Sequence, residues 1–359
     1  MKKIKVAVIG CGNIANSGHM PGYKANADLA EIKYFVDIIP ERAKALRDKY
    51  GSGECLEDYH DILNDSELDA VSVCTPNYLH APITIDFLKA GKHVLCEKPI
   101  AVNYQLACEM KKAADEAGKI LDIGVVLRFN PGINHVRDLI QKGELGHVYH
   151  VYAPFRRYRG IPGLGGPFTT KAMSGGGVLI DIGIHTLDLV LYCLDAKKVK
   201  SVSASCYSKL AVNMKEYAYV DMWAGPPDYN GTYDVEDFVT GMIRGEDFTI
   251  TFNGAWAQNI EGSDNSVEFL GDKAGIKLAE DRTFKVYSVL DKMPCTIIPS
   301  YPKPANIFAD MFNKEIRGFI NDVITNTKGR NNIDNVLLSA NVIDCIYESS
   351  KLGREVVLE

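Results

Sequence analysis

The sequence predicts an α/β protein of two domains, a doubly wound parallel sheet followed by an α+β domain with a mostly antiparallel sheet. Three observations carry that prediction. Short β-branched runs alternate with helical stretches through the first third, the pattern changes from about Tyr149 to longer alternating β segments, and one strongly apolar helix interrupts that second region. At 359 residues the chain fits about two domains of ordinary size, so a site can lie in a cleft between them. We place the domains at residues 1–124 and 125–359.

The elements follow in order. The strand IKVAVIG (Ile4 to Gly10) leads to the strand EIKYFVD (Glu31 to Asp37), the helix PERAKALRDKYG and the strand DAVSVCTP (Asp69 to Pro76). A helix ending in FLKAGK comes next, then the strand HVLCEK (His93 to Lys98), a helix from about Asn103 to Glu116 and the strand ILDIGVVLRF. Strands alternating with helices of about 10 to 15 residues predict parallel β-α-β units, because parallel neighbours need a crossover connection. In the second domain VKSVSASCYS, EDFVTGMIRG and DFTITFNGAWA alternate in the manner of half-buried antiparallel strands. A helix at about Asn335 to Lys351 is expected to pack back on the first domain, and REVVL closes the chain.

Composition excludes several function classes. Hydrophobic residues make up 46%, charged residues 24%, and the formal net charge is -6, so the chain lacks the basic surface that nucleic acid requires. The IKVAVIG segment is too short for a signal-peptide core, and no run of about 18 apolar residues is read elsewhere, so we expect a cytoplasmic protein with no membrane partner. Nine cysteines without a CxxC pair suggest reduced thiols rather than disulfides or a zinc cluster.

Directly after the first strand, GCGNIA (Gly10 to Ala15) has the G-x-G-x-x-A spacing of a dinucleotide-binding turn. Gly10 and Gly12 permit a tight turn and close approach of backbone to a pyrophosphate, and the helix opened by Asn13 and Ile14 directs its amides and dipole at that charge. Asp37 ends the next strand, where a carboxylate accepts hydrogen bonds from ribose hydroxyls and repels a 2′-phosphate. NAD is therefore the expected cofactor, with NADP possible because Arg42 lies close enough to offset the repulsion.

The apolar helix is GGGVLIDIGIHTLDLVLYCL, Gly175 to Leu194. Ile180, Ile184, Leu187, Leu191 and Leu194 recur at helical spacing, and Asp181, His185 and Asp188 stack along one edge beside them. Burying a charge costs several kcal/mol unless it is paired or used, so these groups are candidates for chemistry, with Asp188 better suited to a structural role. No third ligand follows at a recognisable spacing, so no metal is expected.

GCGNIA, AGKHVLCEKP (Ala90 to Pro99) and GGGVLIDIGIHTLDL, in this order and spacing, resemble the glucose-fructose oxidoreductase and inositol dehydrogenase family of NAD(P)-dependent sugar and polyol oxidoreductases. The resemblance spans nearly the whole chain. It implies an N-terminal Rossmann domain, a C-terminal domain with a large open sheet, and a site at the nicotinamide between them. It also implies that Lys98, Asp181 and His185 are catalytic, and that Thr75, Pro76, Asn77 and His80 of CTPNYLH form the loop beside the nicotinamide ribose, with Glu97 of the E-K-P motif on the cofactor side. Family members commonly pack through the open sheet, which implies a homodimer or homotetramer.

Oxidising a secondary alcohol requires a base at the hydroxyl proton and a positive group at the developing alkoxide. His185 suits the base by its ordinary pKa, Asp181 one turn away can orient it, and Lys98 can stabilise the oxygen. The reverse division, with Lys98 as base and His185 holding substrate, stays open. Arg128 is a candidate either to hold a substrate hydroxyl or to bridge the domains, and FRRYRGIPGLGGPF (Phe155 to Phe168) reads as a lid or a surface loop. Tyr158 and Trp256 are candidates to stack on a sugar ring or else core aromatics, and a Pro/Gly/Tyr-rich insertion between Tyr217 and Tyr233 either lines the cleft or covers a subunit contact. The RRYRGIPG loop and the glycine-led helix resemble members acting on glucosides, at the ring's 3-hydroxyl. The expected function is hydride transfer between a hydroxyl of a sugar, glycoside or cyclic polyol and nicotinamide. The alternatives are a redox-neutral, NAD-dependent glycoside-cleaving enzyme and a non-catalytic nucleotide-binding regulator.

Overall fold

The computed structural model describes residues 3–358. It divides into two units, Met1–Phe129 with Lys303–Leu337, and Asn130–Pro302 with Leu338–Glu359. The single boundary expected after residue 124 is thus replaced by three passages of the chain from one unit to the other.

In the first unit the strands β1 (Ile4–Ile9), β2 (Ala30–Val36), β3 (Glu54–Leu56), β4 (Ala70–Val73), β5 (His93–Glu97) and β6 (Leu121–Gly124) form one sheet in the order β3-β2-β1-β4-β5-β6. Every pairing is parallel. The crossovers run through α1 (Met20–Ala25), α2 (Pro40–Tyr50), α3 (His80–Lys89) and α4 (Tyr104–Ala117). The order reverses beside β1, the switch point at which α/β sheets bind ligands outside the strands' carboxyl ends.

The second unit opens with α5 (Pro131–Gln141), then β7 (Val148–Arg156), α6 (Lys171–Ser174) and α7 (Ile184–Leu194). Strands β8 (Ser201–Tyr207), β9 (Phe238–Arg244), β10 (Thr249–Ala255), β11 (Val267–Gly271), β12 (Gly275–Leu278), β13 (Phe284–Leu290) and β14 (Met293–Ile297) follow. Two late helices, α8 (Ile307–Thr325) and α9 (Ile333–Leu352), and β15 (Val356–Val357) complete the chain. The nine-stranded sheet runs β14-β13-β12-β11-β7-β10-β9-β8-β15. Only the β7–β10 pairing is parallel among those described. Along β7 buried Val151, Ala153 and Phe155 alternate with exposed Tyr152 and half-buried Pro154, whereas buried Val148 and exposed Tyr149 at its start break the period. The stretch Lys171–Leu194 is long and apolar enough to cross a membrane, which corrects the reading that no such run exists; 78% of its most apolar window is buried inside the structure.

The helix that completes the first unit is α8. Its Ile316, Phe319 and Ile320 share a core with Ile4, Val6, Ala70 and Leu95, while Val8, Phe35, Ala43 and Leu46 form a separate cluster. The helix expected to return to this unit, at about 335–351, is α9, and it contributes only its first residues, up to Leu337. Arg128 closes the arrangement. It is 3% exposed and donates from Nη1 to the Arg330 carbonyl at 2.9 Å and from Nη2 to the Asn335 carbonyl at 2.8 Å. Of the two roles expected of this residue, these bonds from its guanidinium to carbonyls of the returning segment are those of a bridge.

On and beside this helix lies a group of buried carboxyls. Burial, then the charge of Asp322 on α8, pushes the pKa of Asp122 on β6 well above the carboxylate range. Burial also raises Asp322 and, together with the charges of Glu97 and Asp122, Glu315. A carboxyl whose pKa is raised by folding contributes stability below its unfolded pKa of about 4, and that contribution is lost as pH rises through the folded value. Asp122→Asn removes the principal member. The melting temperature of the variant relative to wild type is expected to climb as pH is raised from about 4 towards 9; a difference independent of pH contradicts this assignment.

Candidate active site

The turn after β1 is shaped by its two glycines. Gly10 has φ +87°, and a Cβ there would sit 2.7 Å from the Cys74 carbonyl oxygen, so β1 and the end of β4 can approach only through glycine. At Gly12 a Cβ would meet nothing within 4 Å. That open ground is where a pyrophosphate could approach the backbone. Exposed Asn13 and half-buried Ile14 begin the helix, which widens into a π-helical turn at Ala15–His19 before α1. Asp37 is buried beside the turn, accepting from the Cys11 amide through Oδ2 and from the Ile39 amide through Oδ1, both at 2.8 Å. The two bonds fix the plane of its carboxylate. Arg42 is exposed near the start of α2.

The segment after β4 is anchored by His80. Its ring is buried between two backbone oxygens, with Nδ1 2.7 Å from the Pro99 carbonyl and Nε2 2.9 Å from the Thr75 carbonyl. Burial lowers its pKa, against the opposing effect of these two acceptors. One imidazole thus ties the Thr75–Pro76–Asn77 loop to the turn that follows Lys98. Thr75 Oγ1 is buried without a hydrogen-bond partner, an orphaned hydroxyl of the kind a bound ligand satisfies. Glu97 turns inward: Oε1 lies 2.9 Å from His19 Nε2 and Oε2 accepts from the Lys98 amide at 3.0 Å. His19 reaches Ser72 Oγ at 3.2 Å, and Tyr23 reaches the same hydroxyl at 2.7 Å. Glu97 thereby holds the turn that carries half-buried Lys98.

In the second unit the apolar helix is fixed at its start by a residue that sequence reasoning missed. Glu236 is buried, and its carboxylate accepts from the amides of Gly177 at 2.9 Å and Leu179 at 3.0 Å, with the Tyr347 hydroxyl donating to Oε1 at 3.0 Å. An anion at this helix terminus pairs with otherwise orphaned amides and the positive end of the helix dipole. The glycines allow this contact, because a Cβ at Gly176 would overlap the Tyr347 hydroxyl and one at Gly177 the Glu236 carbonyl.

The helix then passes through a π-helical turn, Leu179–Gly183, into α7. Ile180, Ile184, Leu187 and Leu191 are buried, and Asp181 and His185 are half-buried. Asp188 is buried and accepts from the Ser339 hydroxyl at 2.8 Å, which matches its expected structural role. Of the two readings of Trp256 its burial fits the core aromatic rather than the sugar platform: its side chain is fully buried and donates from Nε1 to Asp181 Oδ2 at 3.0 Å.

Tyr158 is 43% exposed, with the Arg159 guanidinium 4.6 Å from its ring centroid. The loop it belongs to is no free lid. Ile161 and Leu164 are buried, and the carbonyls of Pro162 and Leu164 accept from the amides of Ala224 and Asp228 in the Tyr-rich insertion. Phe168 packs edge-on against Trp223 with ring centroids 5.0 Å apart.

Comparison with known proteins places the chain among oxidoreductases. Residues 4–125 match a family model described as "Oxidoreductase family, NAD-binding Rossmann fold", and residues 133–277 match one described as "GFO/IDH/MocA C-terminal domain". The chain is 38% identical over 277 residues to a D-glucoside 3-dehydrogenase of Escherichia coli (strain K12), covering 77% of each chain. Among solved structures it is similar to an aldose-aldose oxidoreductase from Caulobacter crescentus complexed with glycerol, at 26% identity and TM-score 0.80, covering 99% of this chain and 100% of that one. A levoglucosan dehydrogenase in complex with NADH shares the fold at TM-score 0.86 and 21% identity, with 100% of both chains covered.

The glycine-led start of the helix gives a direct test. Gly177→Ala forces the helix start away from Glu236 and is expected to destabilise the protein by about 1–3 kcal/mol, as overpacking does. Gly166→Ala, where a Cβ meets nothing within 4 Å, is expected to stay within about 0.5 kcal/mol. Urea unfolding of the two variants beside wild type makes the comparison.

Proposed function

Because the chain belongs to the GFO/IDH/MocA family of NAD-dependent sugar oxidoreductases, we propose that it oxidises a ring hydroxyl of a glucoside or related pyranoside, with Lys98, Asp181 and His185 as its catalytic residues. The observation that carries this reading is that Asp181 and His185, four residues apart, are half-buried on an otherwise largely buried helix. The similarity to a D-glucoside 3-dehydrogenase supports the 3-hydroxyl of the ring as the reacting group.

NAD supplies the hydride acceptor when bound. The chain's residues fit that cofactor: Gly12 leaves the backbone open, Asp37 presents a fixed carboxylate to the ribose hydroxyls, and Thr75 offers an unpartnered hydroxyl. Arg42 on α2 leaves NADP as a weaker second choice. In the proposed division of labour His185 accepts the proton of the substrate hydroxyl. Asp181 orients the imidazole and stabilises its charged form. Lys98 donates a hydrogen bond to the substrate oxygen and stabilises the negative charge that develops there.

Purified protein incubated with NAD and a panel of inositols, free hexoses and alkyl glucosides is expected to produce reduced nicotinamide, followed by its near-ultraviolet absorbance, with glucosides fastest. Tightly held NAD, a cleaved glycoside and no net reduced cofactor would instead establish redox-neutral cleavage. His185→Ala and Lys98→Ala are each expected to lower turnover about 100-fold or more with NAD binding intact. Asp37→Ser is expected to lower kcat/KM for NAD about tenfold or more while raising that for NADP, through loss of charge-assisted hydrogen bonds and of repulsion towards a 2′-phosphate; unchanged cofactor preference contradicts the role given to Asp37.

A further inference from the structure

We propose that Trp256 is the positioning residue of Asp181, and that the dipeptide Glu236-Asp237 fixes both partners of their hydrogen bond. The inference rests on the catalytic assignment of Asp181 made above. An indole N–H can only donate, and Trp256 is fully buried, so its Nε1 needs an acceptor inside the fold. The acceptor is Asp181 Oδ2 at 3.0 Å. A carboxylate oxygen is a strong acceptor for this fully buried donor, and the bond restricts rotation of the half-buried carboxylate.

Neither partner is free to drift. The Trp256 amide donates to the Asp237 carbonyl at 2.9 Å, and the Trp256 carbonyl accepts from the Gly160 amide at 2.6 Å. The side chain of Asp237 is itself held, with Oδ2 accepting from the amides of Lys209 and Leu210 at 2.8 and 2.7 Å. On the other side, Glu236 holds the start of the helix through Gly177 and Leu179, two residues before Asp181. Adjacent residues therefore anchor the donor and the acceptor, so their separation is set across one peptide unit. This route leaves little slack by which the carboxylate could lose its orientation towards the imidazole one turn along the helix.

A double-mutant cycle tests the proposal. Asp181→Asn is expected to lower kcat about 100-fold or more. Trp256→Phe keeps an aromatic ring but removes the donor, and is expected to lower kcat roughly tenfold with KM for NAD unchanged. In the Asp181→Asn background the same Trp256→Phe change is expected to have no further effect on kcat. If Asp181→Asn retains full turnover, the catalytic reading itself fails. If it does not, but Trp256→Phe is as active as wild type or lowers kcat by the same factor in both backgrounds, positioning is overturned while the catalytic reading stands. Fluorescence decides the matter should Trp256→Phe not fold. The chain has two tryptophans, so Trp223→Phe leaves Trp256 as the sole emitter. Its emission is expected to change when Asp181→Asn is added, and identical spectra overturn the hydrogen bond.

Discussion

The second unit is organised around one buried carboxylate. Glu236 accepts two amides at the start of a strongly apolar helix and a tyrosine hydroxyl from α9, and burial raises its pKa against the lowering effect of those donors. Placed anywhere else in this core, an unpaired carboxylate would be costly. Here it meets amides that lack partners within the helix and a favourable dipole. The requirement for glycine at 176 and 177 follows from this contact, as does the position of the π-helical turn that presents Asp181.

The first unit applies the same physics to its carboxylates with different consequences. Asp37 is fixed by two amides beside an open glycine turn, and Glu97 is fixed by His19 and the Lys98 amide. Asp122 on β6 and Glu315 on α8 are more deeply buried, and desolvation pushes their pKa values up. Carboxylates near the carboxyl ends of the strands thus stay paired by amides or an imidazole, whereas the more deeply buried ones favour the protonated form.

Much of this was legible in the sequence because periodicity and turn chemistry are local. The alternation of strands and helices, the glycine turn with Asp37, and the edge formed by Asp181, His185 and Asp188 all follow from spacing within short windows. The remainder depends on partners distant in sequence. Trp256 at the end of a strand reads equally as a stacking platform or a core aromatic until Asp181, 75 residues away, is placed beside its indole. Arg128 reads equally as a substrate contact or a bridge until carbonyls some 200 residues later are placed at its guanidinium. Glu236 carries no local signal, since a Glu-Asp pair before a strand is ordinary surface composition. The completion of the first core by α8 was missed for a similar reason, because its amphipathic pattern does not indicate which sheet it will cover.

The most direct test of the account is to follow the hydride itself. Methyl glucoside carrying deuterium at a single ring carbon is incubated with the protein and NAD, and the reduced nicotinamide is analysed by mass spectrometry. The account predicts that deuterium placed at one ring carbon, and not at the others, appears in the cofactor. Nicotinamide that never acquires deuterium from any ring position, in protein shown to bind NAD, would contradict it.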